Sequence, residues 1–131
     1  MGYYSTMGGC LRVWEDKRVV FEEAIEVFRR EHSGKKMSRF FEEMTISDDR
    51  WIEYDESTGK WYGDDEFAKF IAPFVEDGRL SFIGDDNERW EYRFDGEGNV
   101  FFSEFIRVED KEKMKPSIYL KGDQCVENPG Q

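Results

Sequence analysis

Residues 84–99, GDDNERWEYRFDGEGN, place alternating aromatic and charged residues between two acidic, glycine-containing turns. Trp90, Tyr92 and Phe94 fall on every second position, with charged residues between them. Because successive side chains of a β-strand point to opposite faces, this spacing predicts a strand with one ring-bearing face and one charged face. A single strand is not stable alone, so the stretch predicts a sheet with a covered aromatic side.

The composition is typical of one small domain with an aromatic core. The chain has 131 residues, of which 38% are hydrophobic and 17% are aromatic. A chain of this length has enough residues for one sizeable core, and not for two domains. The aromatic share is high, so we expect a few large rings to fill that core.

Three other segments show clear strand patterns. Residues 5–14, STMGGCLRVW, and residues 79–84, RLSFIG, alternate between two sets of side chains, as a strand with two different faces does. Residues 99–108, NVFFSEFIRV, are apolar on both faces for part of their length, which is typical of a central or covered strand.

A hairpin is predicted in the middle of the chain. Its two arms are Trp51–Tyr54 and Lys60–Tyr62, which are rich in aromatic residues. Thr58 and Gly59 supply the tight turn between the arms.

Apolar residues recur at helical spacing in residues 16–34, 35–44 and 64–78, so three helices are predicted. Pro73 lies inside the apolar stripe of the third segment, and we expect a kink or a tightened turn there. The residues predicted to cap these helices are Asp16 and Gly34 for the first, and Asp64 or Asp65 with Gly78 for the third.

This order of elements predicts an α+β fold, with a single antiparallel sheet of about five to six strands and two to three helices packed on one face. Residues 1–110 are expected to form this domain. Residues 111–131 are expected to be a loosely structured C-terminal extension, in which the segment SIYL adds a short strand.

The net charge of −11 is concentrated in one part of the chain. Residues 41–110 carry 7 basic and 21 acidic side chains, whereas the two flanking segments are slightly basic. Most of these acids fall in predicted turns or at predicted helix starts. Turns gathered at one end of a sheet would form an acidic patch, which attracts a basic surface and speeds the encounter.

The acidic turns therefore predict a protein-binding site. Exposed rings beside acidic side chains are typical of such interfaces. The residues expected to contact a partner are Asp64, Asp65, Glu66, Asp85, Asp86, Glu88, Asp95 and Glu97, with Trp61 and Trp90 as anchors.

The sequence lacks the parts of the common catalytic and metal sites. His32 is the only histidine, and the two cysteines, Cys10 and Cys125, lie near opposite ends of the chain. No nucleophile elbow, phosphate-binding loop, zinc motif or calcium-loop order of ligands is present. We therefore expect no catalytic residue, no metal, no cofactor and no enzymatic activity, and we expect the cysteines to be free thiols.

The predicted location is the cytoplasm. No run approaches the roughly 18 apolar residues that span a bilayer. The first residues also lack a basic segment followed by an apolar one, which a secretory signal requires.

Two stretches carry a resemblance to a known group of proteins. The opening MGYYSTMGG and the late GDDNERWEYRFDGEGNV resemble features of small uncharacterised accessory proteins of tailed phages and prophages. The resemblance covers the first residues and the last hairpin, and it carries over no catalytic residue. It implies a phage accessory gene whose product acts in the host cytosol. Small acidic phage proteins are often inhibitors of host defence, including anti-CRISPR proteins and DNA mimics.

Three functional hypotheses follow. The first is a non-catalytic inhibitor that occupies the basic nucleic-acid-binding surface of a host defence protein, such as a CRISPR effector or another nuclease, without contacting nucleic acid or membrane itself. The second is a module that binds a nucleotide or another small molecule between the sheet and the basic stretch of residues 29–39. The third is an immunity protein that neutralises a basic bacterial toxin.

Overall fold

In the computed structural model, segments with alternating patterns form strands and segments with helical spacing form helices. The structure describes residues 5–31, 38–47, 49–59, 61, 63–84, 88–108 and 111–122. The helices are α1 (Arg18–Glu31), α2 (Ser38–Glu42) and α3 (Asp64–Ile71). Short 3-10 turns, Glu15–Lys17 and Ala72–Phe74, precede α1 and follow α3. The strands are β1 (Ser5–Val13), β2 (Thr45–Ile46), β3 (Trp51–Gly59), β4 (Val75–Gly84), β5 (Arg89–Phe94), β6 (Asn99–Val108), β7 (Lys111–Met114) and β8 (Ile118–Lys121).

The strands form one antiparallel sheet in the order β2-β3-β1-β4-β5-β6-β7, and β8 also pairs with β6. The predicted α+β class with an antiparallel sheet is confirmed. The described residues contain eight strands, which is more than the five to six expected from the sequence pattern.

The C-terminal edge of the sheet accounts for two of the additional strands. β7 pairs with one half of β6, where Phe105 faces Met114, and β8 pairs with the other half, where Phe101 faces Tyr119. Pro116 lies between β7 and β8 and has no N–H group for a strand ladder. The short strand expected in SIYL is confirmed as β8, whereas β7 was not expected in the loose extension, and residues 123–131 lie outside the described ranges.

One apolar core lies between the helices and one face of the sheet. In β4, Leu80 and Phe82 are fully buried in this core, whereas the residues that alternate with them are more exposed. The ring of Phe40 in α2 stacks on that of Phe67 in α3, with centroids 4.3 Å apart. Phe40 also meets Phe82 edge-on at 6.2 Å, so the rings join both helices to the sheet.

The amphipathic pattern of α1 is confirmed. Phe21, Ile25 and Phe28 are buried in the core. Glu22 and Glu26 are exposed on the opposite side of the helix. The 3.6-residue period therefore directs one stripe of α1 to the sheet and leaves the other in water.

The helix starts differ from the predicted caps. Asp16 lies in the 3-10 turn before α1 and not at the start of the α-helix itself. The N-cap of α3 is Gly63, which adopts a left-handed conformation and provides no side-chain cap. Asp64 and Asp65 lie in the first turn of α3, where their side chains have other partners. Gly34 lies outside the described residues.

The predicted hairpin at residues 51–62 is wrong. Trp51–Gly59 is one continuous strand, β3, which pairs with β1 from Arg12 opposite Trp51 to Ser5 opposite Gly59. Thr58 lies within this ladder, and its hydroxyl is hydrogen-bonded to that of Thr6 at 2.8 Å. The long-range pairing with β1 thus outweighs the local turn preference of Thr58 and Gly59. Lys60 and Tyr62 lie outside the described residues.

The third predicted helix is shorter than its apolar stripe. α3 ends at Ile71, a 3-10 turn containing Pro73 follows, and β4 begins at Val75. Because proline lacks an N–H group and its ring clashes with the preceding turn, the helix ends at this point. The tightened turn expected at Pro73 is therefore confirmed, whereas the helix end expected at Gly78 is wrong.

Gly78 instead lies where β1 and β4 approach closely. Its φ of +121° is a conformation that side chains with a Cβ rarely adopt. A Cβ placed on Gly78 would lie 2.3 Å from the carbonyl oxygen of Cys10 and 2.7 Å from the Cα of Leu11. Both neighbours are backbone atoms, so they cannot move aside without disturbing the central pair of strands.

We expect Gly78→Ala to lower the free energy of unfolding by about 3 kcal/mol, through backbone strain and the clash with β1. Urea unfolding followed by circular dichroism measures this change. The matched control is Gly98→Ala, since Gly98 also has a positive φ of +90° but no backbone atom closer than 4.0 Å to the added Cβ. Equal losses in the two variants would contradict the close approach of β1 and β4.

Candidate protein-binding surface

Those predicted acidic contact residues that the structure describes lie at two opposite ends of the sheet. The chain passes from β4 to β5 at one end and from β5 to β6 at the other, because consecutive strands of the sheet are antiparallel. β5 has six residues and spans about 17–20 Å. Asp95 and Glu97 therefore lie at the far end of β5 from Glu88. Asp85 and Asp86 lie outside the described residues.

Five acidic residues lie at the β4–β5 end, and two of them, Asp64 and Glu104, are direct neighbours of Trp90. Asp64, Asp65 and Glu66 form the first turn of α3, and Glu88 immediately precedes β5. Asp64 Oδ2 accepts a hydrogen bond from Trp90 Nε1 at 3.0 Å, which ties the start of α3 to β5. Glu104 of β6 is the cross-strand neighbour of Trp90. We call this group the Trp90 surface: Asp64, Asp65, Glu66, Glu88, Trp90 and Glu104.

Glu104 was not among the residues that the sequence analysis selected. It is exposed, and it pairs with Lys115 at 3.5 Å between Oε1 and Nζ. The available signal was its position within NVFFSEFIRV, where a charged residue interrupts an apolar strand. Its proximity to Trp90 depends on the register between β5 and β6, which the sequence pattern alone does not specify.

The hydroxyl of Tyr92 holds two of these carboxylates in place. It donates a hydrogen bond to Asp64 Oδ2 at 2.7 Å and is also hydrogen-bonded to Asp65 Oδ1. Burial of Tyr92 and the negative charges and hydrogen bonds of the two aspartates raise the pKa of its hydroxyl well above the usual range. The side chains of Asp64 and Asp65 are therefore oriented before any partner binds.

Only one of the two predicted tryptophan anchors is accessible. Trp90 is half-buried, with its ring stacked on that of Phe82 at a centroid distance of 5.4 Å. Trp61 is only 6% exposed and packs against Phe40 in the core. The guanidinium group of Arg39 lies over the Trp61 ring at 4.4 Å. Trp61 is therefore a core residue, and Trp90 is the available anchor.

Asp95 organises the turn between β5 and β6. Its Oδ1 accepts hydrogen bonds from the backbone N–H groups of Glu97 at 2.8 Å and Asn99 at 3.0 Å. Tyr119 donates a third hydrogen bond to its Oδ2 at 3.1 Å. Partial burial would raise the pKa of Asp95, but these hydrogen bonds lower it below its usual value. The carboxylate is thus engaged within its own turn, as Asx turns require.

The sheet face opposite the helices carries arginines with internal partners. Glu91, on this face, is only 8% exposed, and its Oε1 lies 3.8 Å from Arg79 Nη1 and 3.7 Å from Arg89 Nη1. Arg89 also forms two hydrogen bonds with Glu112 and lies over the ring of Phe105 at 3.7 Å. These cross-strand pairs stabilise the face, and they balance much of its positive charge.

The described ends of the basic stretch, residues 29–31 and 38–39, lie on the helical side of the sheet. Arg29 donates a hydrogen bond to the carbonyl oxygen of Phe41 at 2.6 Å, and Arg39 donates one to Glu43 at 2.9 Å. These contacts hold α1 and α2 in place. The second hypothesis places a small-molecule site between this stretch and the sheet. Residues 32–37 of the stretch lie outside the described part of the chain.

Cys10 is an exposed free thiol on β1. Partial burial and the nearby charge of Glu53 raise the pKa of this thiol. Cys125 lies outside the described residues. Within the described ranges, no group of three or more His, Cys, Asp or Glu side chains is arranged to hold a metal ion. The helices in those same ranges are too short or too polar to cross a membrane.

These features define an α+β protein with a helix-covered antiparallel sheet and an acidic surface around one half-buried tryptophan. No protein-family model, curated protein or solved structure matches the chain.

We expect Tyr92→Phe to lower the free energy of unfolding by about 2 kcal/mol at pH 7, because it removes the donor that Asp64 and Asp65 share. The pH dependence should also change. The unfolded chain ionises Tyr92 above about pH 10, whereas the folded chain keeps the proton, so the stability falls as the pH rises through that value. Urea unfolding at pH 7, 9, 10 and 11 measures both effects.

Above about pH 10, Tyr92 lowers the free energy of unfolding by up to about 1.4 kcal/mol per pH unit. The Tyr92→Phe variant should lack this contribution. Tyr119→Phe is the comparison: desolvation and the hydrogen bond to Asp95 also raise the pKa of Tyr119, but this residue is exposed, so we expect its removal to change the alkaline loss less than Tyr92→Phe does. If Tyr92→Phe and the parent chain lose stability equally between pH 9 and 11, Tyr92 does not retain its proton in the folded state.

Proposed function

We propose that the protein is a non-catalytic binding module whose Trp90 surface docks on a basic surface of another protein. The observation that carries this proposal is a half-buried tryptophan with Asp64 and Glu104 as direct neighbours, at an end of the sheet where Tyr92 orients both Asp64 and Asp65. The net charge of −11 acts in the same direction, because it attracts a basic partner over a longer range than any single contact.

Orientation of the carboxylates supports tight docking. Flexible acidic side chains lose rotamer freedom when they bind, which offsets part of the gain from each contact. Asp64 is already held by Trp90 and Tyr92, and Asp65 by Tyr92. Binding therefore costs less side-chain entropy at these two residues, and more of the electrostatic attraction contributes to the affinity.

Trp90 supplies the apolar part of the interface. A partly exposed aromatic ring surrounded by polar side chains is typical of residues that dominate the binding energy of an interface. The ring rests on Phe82, which limits its movement, and Glu104 lies across from it on β6. A partner with arginine or lysine side chains around a small apolar depression would complement this surface.

The partner that this chemistry fits is a protein with a basic nucleic-acid-binding surface. Together with the resemblance to phage accessory proteins, this supports an inhibitor of a host defence protein, such as a CRISPR effector or another nuclease. An immunity protein against a basic toxin would use the same electrostatic complementarity. The identity of the captured partner distinguishes these two biological roles.

The test is affinity capture from a bacterial host lysate. The immobilised protein is exposed to lysate at about 0.05 M salt and eluted at about 0.5 M, a range over which charge interactions become strongly screened. We expect a nucleic-acid-binding protein to be retained at the low concentration and released at the high one. The binding of the purified partner is then measured at both concentrations.

We expect the double variant Glu66→Lys, Glu104→Lys to weaken this binding by about tenfold or more, because it reverses two charges on the Trp90 surface. The control is Glu23→Lys, Glu97→Lys, which makes the same change in net charge at exposed positions elsewhere. Calorimetry measures both affinities. Equal weakening in the two variants, or binding that is independent of salt, would contradict docking through the Trp90 surface.

A further inference from the structure

A polar pocket lies at the end of the sheet opposite the Trp90 surface, where β1 ends and β3 begins. Its volume is about 600 Å³, which is within the range of small-molecule sites. The residues that line it include three arginines and a tryptophan: Arg12, Arg18, Arg50, Trp51, Glu15 and Asp49. Three guanidinium groups therefore line one pocket of a chain whose net charge is −11.

Arg50 has a backbone conformation that favours glycine. Its φ is +73°, and among the described residues it is the one non-glycine residue with a positive φ. The turn holds it there, since its N–H donates to the carbonyl oxygen of Ser47 at 3.1 Å. Its guanidinium group donates from Nη1 to the carbonyl oxygen of Val13 at 3.0 Å, which directs the side chain toward the end of β1.

Arg12 and Arg50 share one carboxylate without close contact. Glu76 Oε1 lies 3.6 Å from Arg12 Nε and 3.6 Å from Arg50 Nη1, longer than the ~2.7–2.9 Å of a charge-assisted hydrogen bond. Arg12 Nε is buried and has no hydrogen-bond partner. Nε itself is closed to solvent, so a bound anion would accept hydrogen bonds from the outer Nη groups of Arg12, whose side chain is 39% exposed.

The ring of Trp51 completes this arrangement. The guanidinium carbon of Arg12 lies 5.7 Å from the centroid of the Trp51 ring, within the range of a cation–π contact. Glu76 and Trp51 therefore restrain Arg12, and the turn restrains Arg50. Each guanidinium group has five N–H donors, more than the contacts described here occupy.

We propose that this pocket binds the phosphate group of a small phosphate ester through Arg12 and Arg50. A phosphate offers oxygens in several directions, so it can accept from two guanidinium groups at once, and arginine is suited to such contacts. Arg18, at the start of α1, also lines the pocket, and its charge is paired with Glu22, to which its Nε donates at 3.2 Å. The proposal is independent of the proposed function, because none of these residues belongs to the Trp90 surface.

The acidic neighbours limit the size and the affinity of the ligand. Glu15 and Asp49 line the same pocket, and Glu76 lies between the two arginines. Their charges oppose any anion, so we expect a dissociation constant of about 0.1–1 mM. The net charge of −11 also repels a polyanion over a longer range, which favours a small ester over nucleic acid.

The test uses inorganic phosphate, ribose 5-phosphate, acetate and a short single-stranded oligonucleotide as probes of the full chain. We expect phosphate or ribose 5-phosphate, at ten times its dissociation constant, to raise the Tm by about 3 °C or more above sodium chloride of equal ionic strength. Calorimetry gives the dissociation constant of each probe. Acetate distinguishes phosphate recognition from the binding of any carboxylate.

Two variants and a control locate the binding. Arg12→Gln removes a charged donor, and Arg50→Gly removes a guanidinium group while suiting the positive φ at that position. We expect each to weaken phosphate binding by about tenfold or more. Arg93→Gln makes the same change in charge at an exposed residue of the sheet face, and it should bind phosphate as the parent chain does.

Each outcome bears on the proposal. Tighter binding of ribose 5-phosphate than of phosphate supports an ester ligand, and similar binding of the two supports recognition of the phosphate group itself. The proposal is overturned if none of the probes raises the Tm beyond the chloride control, or if acetate acts as phosphate does. It is equally overturned if all three variants weaken binding to the same extent, or if the oligonucleotide binds more tightly than ribose 5-phosphate.

Discussion

The aromatic contact between the helices and one face of the sheet determines the position of nearly every other feature. Phe40 stacks on Phe67 and meets Phe82 edge-on, so α2, α3 and β4 are joined through one ring. This packing places the first turn of α3 against β5, where Tyr92 and Trp90 bind Asp64. The orientation of the acidic side chains thus depends on the hydrophobic core beneath them.

The antiparallel arrangement separates charges that are close together in the sequence. Asp64 and Glu88 are gathered at the β4–β5 end, while Asp95 is at the far end of β5, where it organises a turn. The pocket with Arg12 and Arg50 lies at that far end too. The protein therefore has an acidic end with a half-buried tryptophan and an opposite end where three arginines line a pocket, and these are its two proposed binding sites.

Local strain and close approach occur where the central strands meet their neighbours. Gly78 lets β4 approach β1, and Arg50 occupies a turn position that favours glycine. The pairing of β1 with β4 imposes the conformation of Gly78, and the turn closed by the Ser47–Arg50 hydrogen bond imposes that of Arg50. Glycine adopts its conformation at Gly78 without strain. Arg50 keeps the strain, and its guanidinium group binds the carbonyl oxygen of Val13 and lines the pocket.

The sequence by itself determined the α+β class, the alternating faces of β4 and β5, the amphipathic α1 and the tightened turn at Pro73, because each follows from local periodicity or from the missing N–H group of proline. Only the tertiary structure decided that Trp51–Gly59 is one strand, that Trp61 is buried and that Glu104 lies beside Trp90. These depend on which strands pair and in which register, and the pairing energy comes from residues distant in the chain.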